Sequence, residues 1–410
     1  MSAAPPGGRL RVVFINDVGF QFGAGTAHLR QIQSLLLMGH EVAALCCYQG
    51  AEEQRAAFGR LPPPNWLGLR EFRDLHWERE PTEAAINMQL VAAARALRPD
   101  AVVVGNLHGA HWPVSLLTAL KDAGLPVVAF MHDGYFATGR CAYPGECRLS
   151  ETGCDETCPT ADEYPILDPK KIAGAWHLRR RVFGGPQGVA LAANSNWTLD
   201  LARRALPDLQ QAAVLHYGVD EALFSPIDRG VARRLLGVPE GRPVIVAGAV
   251  SLRDRRKGGH ILKEVVAALG ADAHFLVFGH AAAELGDVQG TGYFRDFRRM
   301  PVVYSASDIF LGTSLEEAFG QTYCEAAACG LPVVGFRVGG VPEIARHDVN
   351  ARLVEAGEVD ALVNELETLL ENPTDAAGLG RAGRALVEAE FTLRRQGERW
   401  MDFLAGVLPV

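Results

Sequence analysis

No run of about eighteen apolar residues, the length that crosses a bilayer, occurs in the 410-residue chain, so a helical membrane span is not expected. A secretory signal is not visible either. The first apolar run, residues 10–15, is too short for one and ends in Asn16-Asp17. Positive charge is not in excess. Forty Lys and Arg face 48 Asp and Glu, for a net charge of −8. Nucleic acid is therefore a poor partner, because a phosphate backbone rewards a clustered basic surface. These absences together predict a cytoplasmic protein, and its eight cysteines are expected to be reduced. Low complexity is confined to a Pro/Gly tail, residues 3–8, and no repeat is present.

What is present has an enzyme-like balance, 48% hydrophobic and 21% charged, and a length that favours two domains. Residues 9–16 (RLRVVFIN) read as a buried strand, followed by a Gly-bearing loop, 19–25. Residues 26–38 then show helical spacing, with Leu29, Ile32, Leu35 and Leu36 on one face. Further strands are expected at 41–47, 100–105, 126–131, 189–194 and 213–216. The pattern restarts after Pro226, with strands at 243–248, 275–279, 308–312 and 332–336. Repeated βα alternation predicts parallel sheets covered on both faces, and such folds bind ligands at the C-terminal ends of strands.

The chemistry concentrates in residues 313–334, TSLEEAFGQTYCEAAACGLPVV. Phe319-Gly320 open a predicted helix that Gly330 ends. Its first N–H groups, from Ala318, Phe319, Gly320 and Gln321, suit a phosphate. Glu317 precedes them and Glu325 lies further along, two carboxylates able to accept hydrogen bonds from vicinal sugar hydroxyls.

The string Ser314…Glu317-Ala-Phe-Gly320…Glu325…Gly330-Leu-Pro332, with VGGVPE following at 338–343, resembles the Glu-x7-Glu motif of retaining glycosyltransferases of GT-B fold, family 4. The resemblance implies two Rossmann-like doubly wound domains facing a central cleft. It implies Glu317 on the donor sugar, Glu325 on the ribose, and Lys257 on the diphosphate. The family's arginine position holds no Arg here, so Arg253, Arg255 or Arg256 is expected to substitute. The loop carrying Gly23, Ala24 and Gly25 resembles the one that approaches the donor phosphate. His132-Asp133 and Asn194 match positions on the acceptor side. His216-Tyr217-Gly218 matches a family turn, with Tyr217 in place of Asn.

Cys141, Cys147, Cys154 and Cys158 fall close together in an insert at 139–160. Four thiolates at short range suit a tetrahedral structural zinc, with disulfides or free thiols as alternatives. The insert resembles that of colanic-acid-type polysaccharide enzymes within the same family. Residues 170–185 form a basic amphipathic pattern that suits contact with anionic lipid at the inner face of the membrane, or else a solvated helix face.

The sequence thus predicts an acceptor domain at 1–217, a nucleotide-sugar domain at 218–390, and a C-terminal helix at 391–410 packing back on the first. The expected activity is that of a hexosyltransferase. A nucleotide diphosphate sugar would donate to a hydroxyl acceptor, lipid-linked or a natural product. Glu317, His132 and Lys257 are the catalytic candidates, and no cofactor is required for catalysis. The rival readings are a nucleotide-sugar epimerase and a silent sugar-nucleotide-binding module.

Overall fold

The computed structural model describes residues 8–20, 22–47 and 82–408, together with the backbone of 65–68. The Pro/Gly tail therefore lies outside the described residues, except for Gly8. The chain forms two compact units. One comprises residues 1–216 and 394–410, the other Tyr217–Leu393.

The first unit holds a parallel seven-stranded sheet. Its strands are β1 (Arg11–Asn16), β2 (Glu41–Cys46), β3 (Asn65–Gly68), β4 (Ala101–Val104), β5 (Val127–Met131), β6 (Ala190–Ala193) and β7 (Ala212–Val214). They lie in the order β3-β2-β1-β4-β5-β6-β7. The order reverses between β1 and β4, and such a reversal opens a crevice at the strand ends. Continuous Val, Ile and Phe along β1 fit burial on both faces.

The helix Phe22–Leu37 begins earlier than its spacing predicts. Gly23, Ala24 and Gly25 are therefore its first turn and not a loop. A Cβ on Gly25 would stand 2.8 Å from the Gly19 carbonyl oxygen, so glycine lets the helix close onto the end of β1. Leu29, Ile32, Leu35 and Leu36 are buried as expected, but so are Gln31 and Ser34 on other faces. The C-terminal helix Leu393–Val407 accounts for part of this cover. Its Gly397 abuts Ser34 and Met38, and its Trp400 packs edge-on against Phe14, 5.9 Å between ring centres.

The second unit repeats the plan with six parallel strands: β8 (Val244–Ser251), β9 (His274–His280), β10 (Gln289–Gly292), β11 (Ile309–Gly312), β12 (Val333–Phe336) and β13 (Ala351–Val354). Their order is β10-β9-β8-β11-β12-β13, with the reversal between β8 and β11. Pro226 is not a boundary. It lies inside this unit, where the Ile227 amide donates to Ser305 Oγ.

The basic pattern at residues 170–185 forms the helix Pro169–Phe183. Its apolar side, Ile172, Trp176, Val182 and Phe183, is buried. Arg179 is buried as well, donating to the Tyr135 carbonyl and lying over the Tyr135 ring. Lys170, Lys171 and Arg181 stay exposed and form a charged face. Among the described residues no helix is long and apolar enough to cross a membrane.

Candidate active site

In the second unit the loops after β8 and β11 meet at the reversal of strand order. The Thr313 hydroxyl donates to the Lys257 carbonyl at 3.0 Å, and the Leu315 amide donates to the Arg256 carbonyl at 2.7 Å. Gly258 makes the approach possible. It sits at φ +66°, and a Cβ there would be 1.9 Å from the Thr313 carbonyl oxygen. Lys257 is thereby aimed at the loop after β11, where its Nζ lies 2.5 Å from Glu317 Oε2. Both side chains are mostly covered, 23% and 15% exposed. The Gly340 amide holds the Glu317 carbonyl at 3.0 Å, and Gly339, at φ +52°, brings that turn in with no room for a side chain.

Glu325 projects from the helix Gln321–Ala328 and is buried. Tyr304 donates its hydroxyl to Glu325 Oε2 at 2.9 Å, which fixes the carboxylate. The helix starts later than expected, with Gly320 as its cap at φ +102°. Ala318 and Phe319 precede it, so their amides are not part of its first turn; Gln321 is the first helical residue. Phe319 is a core residue, packed edge-on between Tyr217 and Phe391. Tyr217 is buried for the same reason. Of the arginines, Arg253 pairs with Glu284 on the surface, and Arg256 pairs with Asp254 at 2.5 Å.

The first unit gathers a second polar cluster at the ends of β1, β4 and β5. His132 and Asp133 end β5 and are buried. Asp17 follows β1, and Asn106 and His108 follow β4. His108 Nε2 stands 3.2 Å from Asp133 Oδ2, and its Nδ1 stands 2.7 Å from the Tyr164 hydroxyl. Asp17 Oδ2 accepts from the Gly109 amide at 2.7 Å, while its buried Oδ1 has no hydrogen-bond partner among the described residues.

Burial alone would lower the His108 pKa. The charge and hydrogen bond of Asp133, with the charge of Asp17, outweigh it and leave the value raised. Burial likewise works to raise Asp133, but His108 and the Tyr135 amide hold it below the ordinary carboxylate value. Asp17 is raised by burial, against the opposing charge of His108. Burial brings His132 down to about 4, so this imidazole is neutral at physiological pH. Asn194 is turned inward. Its amide donates to the His132 carbonyl at 2.9 Å and its oxygen accepts from Thr198, so it positions the strand end.

Asp17, Asn106, His108, Tyr164 and Tyr304 were not singled out by sequence. The available signal was polar residues directly after β-strand runs, Asn16-Asp17 and Gly105-Asn106, on strands adjacent at the reversal.

The four cysteines of the insert gather in one neighbourhood, where the Cys154 thiol feels the charges of Cys141, Cys147 and Cys158. Among the described residues no three or more His, Cys, Asp or Glu are placed to hold an ion. All eight cysteines are free thiols. Cys141 and Cys158 each lie about 4 Å from the Thr160 hydroxyl, at 4.0 and 3.9 Å, and Cys154 accepts from the Gly139 amide. Burial pushes the Cys154 thiol up to about 11. The insert is organised by buried Arg140, which donates to the carbonyls of Glu163 and Pro165 and to Thr160. Cys154 packs with Ile172 and Trp176.

The family model described as Glycosyl transferases group 1 matches residues 242–372, the bulk of the second unit. The chain is 32% identical over 231 residues to a GDP-mannose-dependent monoacylated alpha-(1-6)-phosphatidylinositol monomannoside mannosyltransferase of Corynebacterium glutamicum, covering 51% of this chain and 60% of that protein. It is 35% identical over 196 residues to a D-inositol 3-phosphate glycosyltransferase of Mycolicibacterium gilvum, covering 44% and 42%. The matches thus span less than two thirds of these relatives. Among solved structures, Anabaena Alr3699/HepE in complex with UDP and glucose superposes with a TM-score of 0.73 at 20% identity, covering 97% of this chain and 100% of that one. A glycosyltransferase from Rickettsia africae superposes at 0.70 with 15% identity, covering 98% and 99%. The fold is GT-B, two Rossmann-like domains. Within it, the second unit carries the sequence signature of the group 1 glycosyl transferases.

Proposed function

We propose that this protein is a retaining glycosyltransferase that moves a hexosyl group from a nucleotide diphosphate sugar to a hydroxyl of an acceptor. The observation that carries the reading is the Lys257–Glu317 contact beside buried Glu325, at the strand-order reversal of a unit with the group 1 match. Lys257 takes the diphosphate, Glu317 the sugar hydroxyls and Glu325 the ribose. The Gln321 end of its helix adds a positive dipole. In transfer the bond from the anomeric carbon to the phosphate oxygen breaks, and its electron pair leaves with the diphosphate. The acceptor oxygen bonds the same face of that carbon, and its proton passes to the departing phosphate oxygen. Lys257 stabilises the charge that grows on the leaving group. No protein nucleophile and no metal enters this scheme.

The acceptor is assigned to the first unit, at Asp17, His108, His132 and Asp133. His108, its pKa raised by two neighbouring carboxylates, suits an acceptor rich in hydroxyls. The names of the two relatives, with phosphatidylinositol mannoside and inositol 3-phosphate, point to the same class. Incubation with a panel of nucleotide diphosphate sugars and acceptors tests the reading. Release of nucleoside diphosphate with formation of a glycoside is expected. Sugar isomerisation without release, or donor binding without turnover across the panel, would replace it with an epimerase or a binding module.

A further inference from the structure

The second unit carries a basic cavity at the edge of its sheet opposite to Lys257 and Glu317. It has a volume of about 520 Å³ and opens where β8, β11 and β12 begin, at Pro243, Asp308 and Pro332. Four guanidinium groups line it, those of Arg229, Arg233, Arg242 and Arg381, against the single carboxylate of Asp308. On a chain of net charge −8 this is a local surplus of three positive charges, four minus one.

Asp308 cannot neutralise the surplus. It is already shared between Arg229 at 2.5 Å, Arg233 at 2.6 Å and the Val244 amide at 2.7 Å. Arg242 donates through one nitrogen to the Gly270 and Ala273 carbonyls, which carry no net charge. Arg381 makes no hydrogen bond or ion pair with any described residue. It is held on a rigid element even so. Its helix, Pro373–Glu390, lies so close to the Gly330 carbonyl that a Cβ on Gly380 would be 2.1 Å from it. One turn on, Arg384 donates to the Ala328 and Phe224 carbonyls. The positive end of the same helix, at Pro373, also lines the cavity. An adjoining recess of about 360 Å³ shares Arg229 and Arg381 and adds Ser305, together with Arg384 and its partner Glu388.

We propose that this cavity is a binding site for a phosphomonoester group, separate from the donor site. A forked guanidinium matches phosphate oxygens in pairs, and the volume exceeds what a bare phosphate needs, so the phosphate carries a further small group. The phosphate could arrive on a soluble metabolite or on a phospholipid headgroup. The shared chemistry is the phosphate contact to Arg381 and Arg229.

The test uses the full-length Lys257→Ala variant, so that donor-site phosphate binding does not interfere. Calorimetric titration with glycerol 3-phosphate, up to about 10 mM, is expected to show saturable binding that weakens with salt. Adding Arg381→Ala should weaken it by about tenfold, the worth of one bidentate charged contact. Arg381 is exposed and unpaired, so this variant should fold, and an unchanged circular dichroism spectrum checks it. Sedimentation with phosphatidylcholine vesicles containing either phosphatidic acid, whose headgroup is a phosphomonoester, or an equal charge of phosphatidylglycerol, a diester, forms the second arm. Arg381-dependent binding to the phosphatidic acid vesicles alone identifies the headgroup as the source and equally supports the site; equal binding to both kinds counts against it. No saturable binding in either arm, or binding indifferent to Arg381→Ala, overturns the proposal.

Discussion

Lys257 Nζ rests 2.5 Å from Glu317 Oε2, a pair formed across two loops that the strand order brings side by side. Each group is the other's counter-ion before a donor arrives. A diphosphate would draw Lys257 away and leave Glu317 free to accept from the sugar.

The two residues should therefore not act independently. Glu317→Ala and Lys257→Ala should each lower kcat by about a hundredfold or more, the usual loss for a group that stabilises transition-state charge. The double variant should be far less impaired than the product of the singles. Steady-state release of nucleoside diphosphate measures this. Multiplicative losses would mean that the contact is incidental.

Glu325 is expected to act on donor binding. Tyr304→Phe removes the hydroxyl that fixes its buried carboxylate, so the KM for donor should rise with kcat nearly unchanged. The stability loss should be about 1–3 kcal/mol, that of a buried acceptor deprived of a partner. Donor titrations and urea denaturation read the two effects. A fall in kcat at constant KM would move Glu325 from binding to chemistry.

The His108–Asp133 pair sets a pH dependence with a definite sign. His108 is raised, so its contribution to stability is full below the ordinary histidine value and is lost as pH rises through the raised one. Asp133 is lowered, so its contribution is full above the ordinary aspartate value and is lost as pH falls through the lowered one. Both are complete between about pH 4 and 6.5, the two ordinary values. Asp133→Asn should therefore cost most stability in that window and less at higher pH. It should also move the alkaline fall in activity to lower pH. Asp17, Asp133 and Arg179 bear on His108 electrostatically, and Tyr164 bonds it directly. An Asp133→Asn profile with no shift would remove His108 from the acceptor site.

Gly339 bears directly on Glu317. A Cβ there would stand 1.8 Å from the Glu317 carbonyl oxygen at a left-handed φ. Gly339→Ala should cost about 3 kcal/mol or more, or else displace the loop and abolish transfer. A variant with wild-type melting temperature and turnover would contradict the packing of this turn.

The parts of this arrangement that lie close in sequence were legible there. Glu317 and Glu325 stand on one strand–turn–helix segment, and Lys257 follows a strand whose apolar run is plain. Asp17, His108 and Tyr164 were not legible, because only the parallel order β1-β4-β5 and the docking of the insert bring them together. Gly23–Gly25 read as a loop because glycine usually breaks a helix, yet here it serves close packing. Phe319 read as a phosphate neighbour, but its ring is claimed by Tyr217 and Phe391. The edge strand Gln289–Gly292 (QGTG) has no apolar run to announce it; its pairing with β9 alone makes it a strand. The four cysteines offered a metal pattern, and they lie in one neighbourhood as free thiols.

The most direct test of donor chemistry at Lys257 and Glu317 is the anomeric configuration of the product. The chain would be supplied with an α-linked nucleotide diphosphate sugar and phosphorylated or lipid-linked acceptors, and the new glycoside followed by proton NMR. The expected result is an α-glycoside, formed together with nucleoside diphosphate and lost in Glu317→Ala. A β-glycoside, or full turnover by Glu317→Ala, would contradict the account.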